Sequence, residues 1–188
     1  MIKNFLLALS VVLSGGLTAQ HQVTEQWANG NLLSKGQYSA DPGVLPTDSK
    51  QIAAEKLSKV VKTGDWNYWF ENGKPSAEEH YTSSGVATGV WKNWHMNGQL
   101  SLEINFQTGI ATTWYEDGTK SSQGSMLPGM IQTGRWVNYH ANGQKNSEGS
   151  FNSRGMQIGV WTFWNAQGKK TAEQTWNNGT LVDTKRFE

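Results

Sequence analysis

Gly64-Asp65-Trp66-Asn67-Tyr68-Trp69, followed by Asn72-Gly73 and then by Tyr81, is the stretch that decides the fold, because the chain repeats it. The hexapeptide returns as Gly89-Val90-Trp91-Lys92-Asn93-Trp94, as Gly134-Arg135-Trp136-Val137-Asn138-Tyr139 and as Gly159-Val160-Trp161-Thr162-Phe163-Trp164. A weaker copy is Gly109-Ile110-Ala111-Thr112-Thr113-Trp114. A fixed period marks a repeat architecture, in which one small unit cannot bury its own apolar face and stacks on its neighbours.

Each opening glycine is taken as position 0. Position +2 is then Trp66, Trp91, Ala111, Trp136 and Trp161, and position +5 is Trp69, Trp94, Trp114, Tyr139 and Trp164. Positions +8 and +9 are Asn72-Gly73, Asn97-Gly98, Asp117-Gly118, Asn142-Gly143 and Gln167-Gly168. Position +17 is Tyr81, Phe106, Met126, Phe151 and Trp176. Opening glycines are 25 residues apart, except that Gly109 follows Gly89 after 20.

Asn-Gly is the dipeptide of a two-residue type I′ turn, which needs positive φ at both central residues, so each unit reads as one β-hairpin with its turn at +8/+9. In the second unit Leu100, Leu102, Ile104 and Phe106 alternate with Ser101, Glu103 and Asn105, the period of a strand. A two-residue turn pairs +7 with +10, +5 with +12, +3 with +14 and +2 with +15. It places the +2 Trp and the +17 aromatic on one sheet face. The +5 aromatic falls on the other, with the +14 column Glu78, Glu103, Gln123, Glu148 and Glu173. A bulge between +2 and +5 would instead bring both aromatics to one face. The fold class is therefore all-β, an elongated antiparallel meander of repeated hairpins with one short inserted helix.

Residues 64–188 hold five repeats, starting at 64, 89, 109, 134 and 159, and a C-terminal capping strand over 177–187. Residues 20–63 read as an N-terminal cap: a partial repeat with Asn29-Gly30 and Tyr38, then an insertion. In the insertion, Asp48 with Gln51 resembles a capping box, and Ile52, Ala53, Leu57, Val60 and Val61 share one side of a helical wheel. This predicts a helix over about 48–61 lying against the sheet. Residues 1–19 read as a secretory signal: Lys3, an apolar run from Phe5 to Val12, and Leu17-Thr18-Ala19 as the cleavage site. A secreted or periplasmic protein is expected, not integral to the membrane after cleavage. The absence of Cys excludes disulfides and thiol chemistry, and a net charge of +1 gives no electrostatic case for nucleic acid.

The columns Gly-x-Trp-x-x-(Trp/Tyr), Asn-Gly and the aromatic eight residues after the turn glycine resemble the bacterial variant of the MORN repeat, found in MORN-type antitoxin proteins. The resemblance covers residues 64–181 and the partial copy at 27–38. It implies a hairpin meander used for binding or scaffolding. Ala111, Met126 and the insertion at 39–63 depart from the pattern. Choline- and glucan-binding hairpin repeats are a second resemblance, through Gly85-Val86-Ala87-Thr88-Gly89, although their aromatic pairs are spaced differently.

No cofactor, metal or catalytic set is expected. His95 and His140 share position +6 but lie two repeats apart, roughly 19 Å at about 4.8 Å per strand, too far for one metal ion. A periodic glutamate column is unlike the two dissimilar carboxylates of an acid–base pair. The expected binding face is the +5 column (Trp69, Trp94, Trp114, Tyr139, Trp164) with Glu78, Glu103, Glu148 and Glu173. The expected function is non-enzymatic binding of a protein or envelope component. The alternatives are a glycan- or cell-wall-binding module and an antitoxin-like or immunity-type partner of a toxin.

Overall fold

The computed structural model describes residues 21–45 and 47–188, so the segment 1–19 expected to be a secretory signal lies outside the described residues. Two compact units divide at Gly98/Gln99. The first holds β1 (His21–Gln26), β2 (Leu32–Tyr38), α1 (Lys50–Leu57), β3 (Lys62–Trp69), β4 (Pro75–Tyr81) and β5 (Val90–Trp94). The second holds β6 (Leu100–Asn105), β7 (Ile110–Trp114), β8 (Lys120–Leu127), β9 (Ile131–Tyr139), β10 (Lys145–Phe151), β11 (Gln157–Trp164), β12 (Lys170–Asn177) and β13 (Thr180–Arg186). Within each unit the strands lie in chain order, each antiparallel to the next, as a meander of hairpins requires.

The hairpin turn is not type I′. Phe70 N–H donates to Lys74 O at 2.8 Å and Gly73 N–H to Phe70 O at 2.9 Å. Only the glycine takes positive φ, +82° at Gly73, and no turn asparagine of the repeats does. This is a type I turn followed by a left-handed glycine, the longer hairpin connection. Asn72 favours it by spending its side chain locally: Oδ1 accepts Lys74 N–H at 3.0 Å, as Asp117 accepts Thr119 N–H at 2.8 Å and Asn142 accepts Gln144 N–H at 3.1 Å. In the last repeat, where Gln167 replaces the asparagine, Asn165 Oδ1 takes over for Lys169 N–H at 2.9 Å.

The longer turn shifts the register beside it. Position +5 pairs with +11 rather than +12: Trp69 with Pro75, Trp114 with Lys120, Tyr139 with Lys145, Trp164 with Lys170. The extra residue sits on the return strand, and the expected pairs of +3 with +14 and +2 with +15 hold, as Asn67↔Glu78 and Trp66↔Glu79. The two aromatic columns therefore keep opposite faces.

The opening Gly-x-Trp is itself a bulge against the preceding strand. Ser125 pairs with Thr133 while Gly124 pairs with Trp136, leaving Gly134 and Arg135 unpaired. Gly134 has φ +60°, a conformation other L-residues rarely adopt. The bulge lays three of the +2 indoles, Trp66, Trp136 and Trp161, on a glycine at +15 of the preceding unit. A Cβ on Gly36 would come within 2.1 Å of Trp66, one on Gly124 within 2.3 Å of Trp136, and one on Gly149 within 2.2 Å of Trp161. It also frees a carbonyl that the indole Nε1–H occupies: Trp66 to Gln37 O (3.1 Å), Trp91 to His80 O (2.9 Å), Trp136 to Ser125 O (2.8 Å) and Trp161 to Ser150 O (3.2 Å). The +17 rings close the layer edge-on, Tyr38 against Trp66 at 4.9 Å and Phe151 against Trp161 at 5.0 Å. Trp66, Trp136 and Trp161 are buried, and each burial contributes about 4–6 kcal/mol gross at roughly 25 cal/mol per Å².

Ala111, the departure at +2, has a partner. Its strand neighbour at +15 is Ile104 instead of glycine, and both are buried. The volume has changed sides, and the third repeat keeps its hairpin.

The inserted helix is shorter than the expected 48–61. Its N-cap is Ser49, whose Oγ accepts Ile52 N–H at 3.3 Å. Asp48 does not form the capping box. Its Oδ2 accepts Leu45 N–H at 2.8 Å and Lys56 Nζ at 2.7 Å instead. No helix residue is buried, and Ile52 is 46% exposed, so the apolar side does not pack into a core.

Two stability predictions follow from the layer of indoles. Gly149→Ala drives a methyl group into the Trp161 ring and is expected to cost about 1–3 kcal/mol in urea denaturation. Ala111→Trp and Ile104→Gly are each destabilising alone, and the double variant is expected to recover at least about 1 kcal/mol relative to the sum. Strict additivity in that cycle would refute the exchange of volume.

Candidate binding face

The face opposite the buried indoles carries the +5, +11 and +14 columns. Register fixes who meets whom: Tyr139 lies opposite Lys145, and Trp164 opposite Lys170. Because the return strand bulges, the +11 lysine reaches the +14 acid of its own strand. Lys145 Nζ is 2.7 Å from Glu148, Lys170 binds Glu173, and Lys120 Nζ donates to Gln123 at 3.2 Å. Arg135 Nε adds a bond to Glu148 at 2.6 Å, and Lys145 Nζ stands 5.7 Å over the Trp164 ring.

Glu148 and Glu173 are thus ion-paired, not bare. The Lys145 and Arg135 bonds hold Glu148 below the usual carboxylate range, against partial desolvation, and Lys170 does the same for Glu173. Glu103 lies on β6 across from Thr112. In the first unit Trp69 and Glu78 occupy the corresponding face. All nine expected site residues, including Trp94 and Trp114, are half-buried.

Between successive repeats, the bare backbone of a +15 glycine floors a trough on this face. One trough, of about 350 Å³, is bounded by Glu148, Gly149, Arg135, Thr162, Trp164 and Lys170. Its counterpart in the first unit, also about 350 Å³, has Lys35, Gly36, Gln37, Asp65 and Asn67 at the +14, +15, +16, +1 and +3 columns, without a +5 aromatic or a +11 lysine in its lining. The glycine that seats an indole on one face leaves the hollow on the other. The +15 column carried this signal in the sequence but was not read for it.

Sequence reasoning also passed over the +6 column as exposed polar surface. Its donors staple one repeat to the next: Trp27 Nε1–H to Trp69 O (3.1 Å), Tyr115 O–H to Tyr139 O (2.7 Å) and His140 Nε2–H to Trp164 O (2.9 Å). The last fixes the His140 tautomer, since a carbonyl can only accept. Asn142 Nδ2 makes a parallel staple to Ala166 O at 2.6 Å. These bonds hold the backbone of the +5 aromatics, so the face is set by its neighbours and not by single hairpins.

Because the carboxyl of Glu148 is more acidic folded than its ordinary value near 4.5, its contribution to stability is present above that value and is lost as pH falls through the folded pKa. Glu148→Gln is expected to flatten the loss of thermal stability between neutral and acid pH. An unchanged acid limb would contradict the ion-pair geometry.

Three segments, residues 62–82, 87–108 and 132–153, match the family model described as MORN repeat variant. They correspond to the repeats that open at Gly64, Gly89 and Gly134, and the hairpins at Gly109 and Gly159 lie outside the matched segments. No curated protein matches the chain. With their Gly-x-Trp bulge and hairpin turn, these three segments are MORN repeat variants.

Proposed function

We propose that this protein is a non-enzymatic binding protein that acts in secreted or periplasmic form and holds a protein or other envelope component on the +5/+14 face of its repeats. The observation that carries this reading is the recurrence of one trough at equivalent columns in both units. A repeated hollow suits an extended partner contacted at several places, whereas catalysis needs one centre of unlike groups. In the second unit the trough offers the half-buried Trp164 beside Arg135, Glu148 and Lys170, aromatic area ringed by charges of both signs. Charge balance on this face favours a partner of mixed polar and aromatic surface over a run of basic residues, which would compete with Lys145 and Arg135 for Glu148. The segment 1–19 supports the location outside the cytoplasm.

A second reading, a glycan as the ligand, is favoured by the Trp164 ring at the trough wall with Thr162 and charged donors beside it. The two separate in one experiment. A photocrosslinker at exposed Val160 in the trough is expected to capture a specific envelope partner. Trp164→Ala or Arg135→Glu should reduce the yield about tenfold or more, and substitution of the remote Lys59 should not. Quenching of Trp fluorescence by cell-wall fragments, lost in Trp164→Ala, would select the glycan. Failure of both arms would refute binding at this face.

A further inference from the structure

The repeat that opens at Gly64 departs from the other four at three columns, and the three departures meet at one point. Two residues before the opening glycine it has Lys62, where the others have Ala87, Gln107, Gln132 and Gln157. At +4 it has Tyr68, against Asn93, Thr113, Asn138 and Phe163. At +15 it has Glu79, against Ile104, Gly124, Gly149 and Gln174. In the structure the Lys62 ammonium stands 4.9 Å from the Trp66 ring centroid, 5.0 Å from Tyr68 and 5.6 Å from Tyr81. It lies 3.0 Å from Glu79 Oε2 and also donates to the Tyr68 hydroxyl. Tyr68 and Tyr81 each donate their O–H to the same Glu79 oxygen at 2.8 Å. Tyr38 braces Trp66 edge-on from behind.

The rings of Trp66 and Tyr81, the hydroxyl edge of Tyr68 and a carboxylate around one cation form an aromatic box. It lies on the indole face, opposite the troughs, and is independent of the binding face proposed above. Its walls do not depend on the lysine. Trp66 is pinned by its bond to Gln37 O, and the two phenols keep Glu79 hydrogen-bonded if the ammonium leaves. Burial, then the neighbouring Glu79, pushes the Tyr68 phenol far up, and burial with the Glu79 bond raises Tyr81, so both remain donors at any physiological pH. Lys62 itself is the exposed member of the cluster, its side chain 33% exposed at the start of β3.

We propose that this box is a binding site for a quaternary or N-methylated ammonium group, and that Lys62 is its built-in occupant, displaced when the ligand enters. A primary ammonium is strongly hydrated and depends on hydrogen bonds, whereas a methylated one sheds water readily and gains mainly from ring faces and a nearby negative charge. The box supplies both once Lys62 swings out.

The test is a titration of the full chain with tetramethylammonium chloride, read by Trp fluorescence and by the ring-proton NMR signals of Tyr68 and Tyr81. Lys62→Ala is expected to bind at least about tenfold more tightly than wild type, and Tyr81→Leu to abolish the response in either background. Choline and phosphatidylcholine vesicles in parallel distinguish a free ligand from a lipid headgroup. Should Lys62→Ala fail to fold, the wild-type NMR titration decides: shifts of both tyrosines that Tyr81→Leu removes support the site. No shift in wild type and no binding by a folded Lys62→Ala would overturn it, as would equal affinity of the two proteins.

Discussion

An indole lying on a residue with no Cβ is the contact on which the rest of this protein depends. The +2 Trp reaches across to the preceding strand, covers its glycine and donates its N–H to the carbonyl beyond it. None of the three parts works alone. The ring needs the bare backbone, the flat approach needs the bulge at the opening glycine, and the bulge would strand a buried carbonyl if the indole did not cap it. With so few aliphatic residues available, this contact does for each interface between repeats what a core does for a globular domain.

The contact is between neighbours, so stability is a sum over interfaces, and variation is absorbed one interface at a time. Ile104 against Ala111 shows how. The side chain moves to the other strand, the volume between them stays filled, and the hairpin survives without its tryptophan. Glu79 is a different kind of departure. It occupies the glycine column with a charge, Trp91 beside it is only half-buried, and the charge is met by Lys62 and two phenols rather than by solvent.

The opposite face follows from the same geometry. Where Gly149 receives the indole, the other side of the strand is a hollow, and the bulged return strand brings a lysine to Glu148 and to Glu173. A hollow of this kind opens in each of the two units, and paired charges line that of the second.

Much of this was legible in the residues. The repeat, the hairpin unit, the antiparallel meander and the opposite placement of the +2 and +5 columns all follow from a periodic sequence, because a strand alternates its side chains and a repeat multiplies one local choice. Tertiary structure alone decided how the turn closes. Asn-Gly permits two hairpin geometries, and the choice lies in whether the asparagine side chain caps the backbone two residues on, which no dipeptide preference resolves. That choice moved the register at +5 and set lysines beside Glu148 and Glu173. The helix is the other instance. Its wheel predicted an apolar face, but burial requires a surface to pack against, and the chain presents none to Ile52. What the sequence determined is the unit and its repetition. What only the fold decided is which columns touch across strands, since that depends on bulges whose effect is not local.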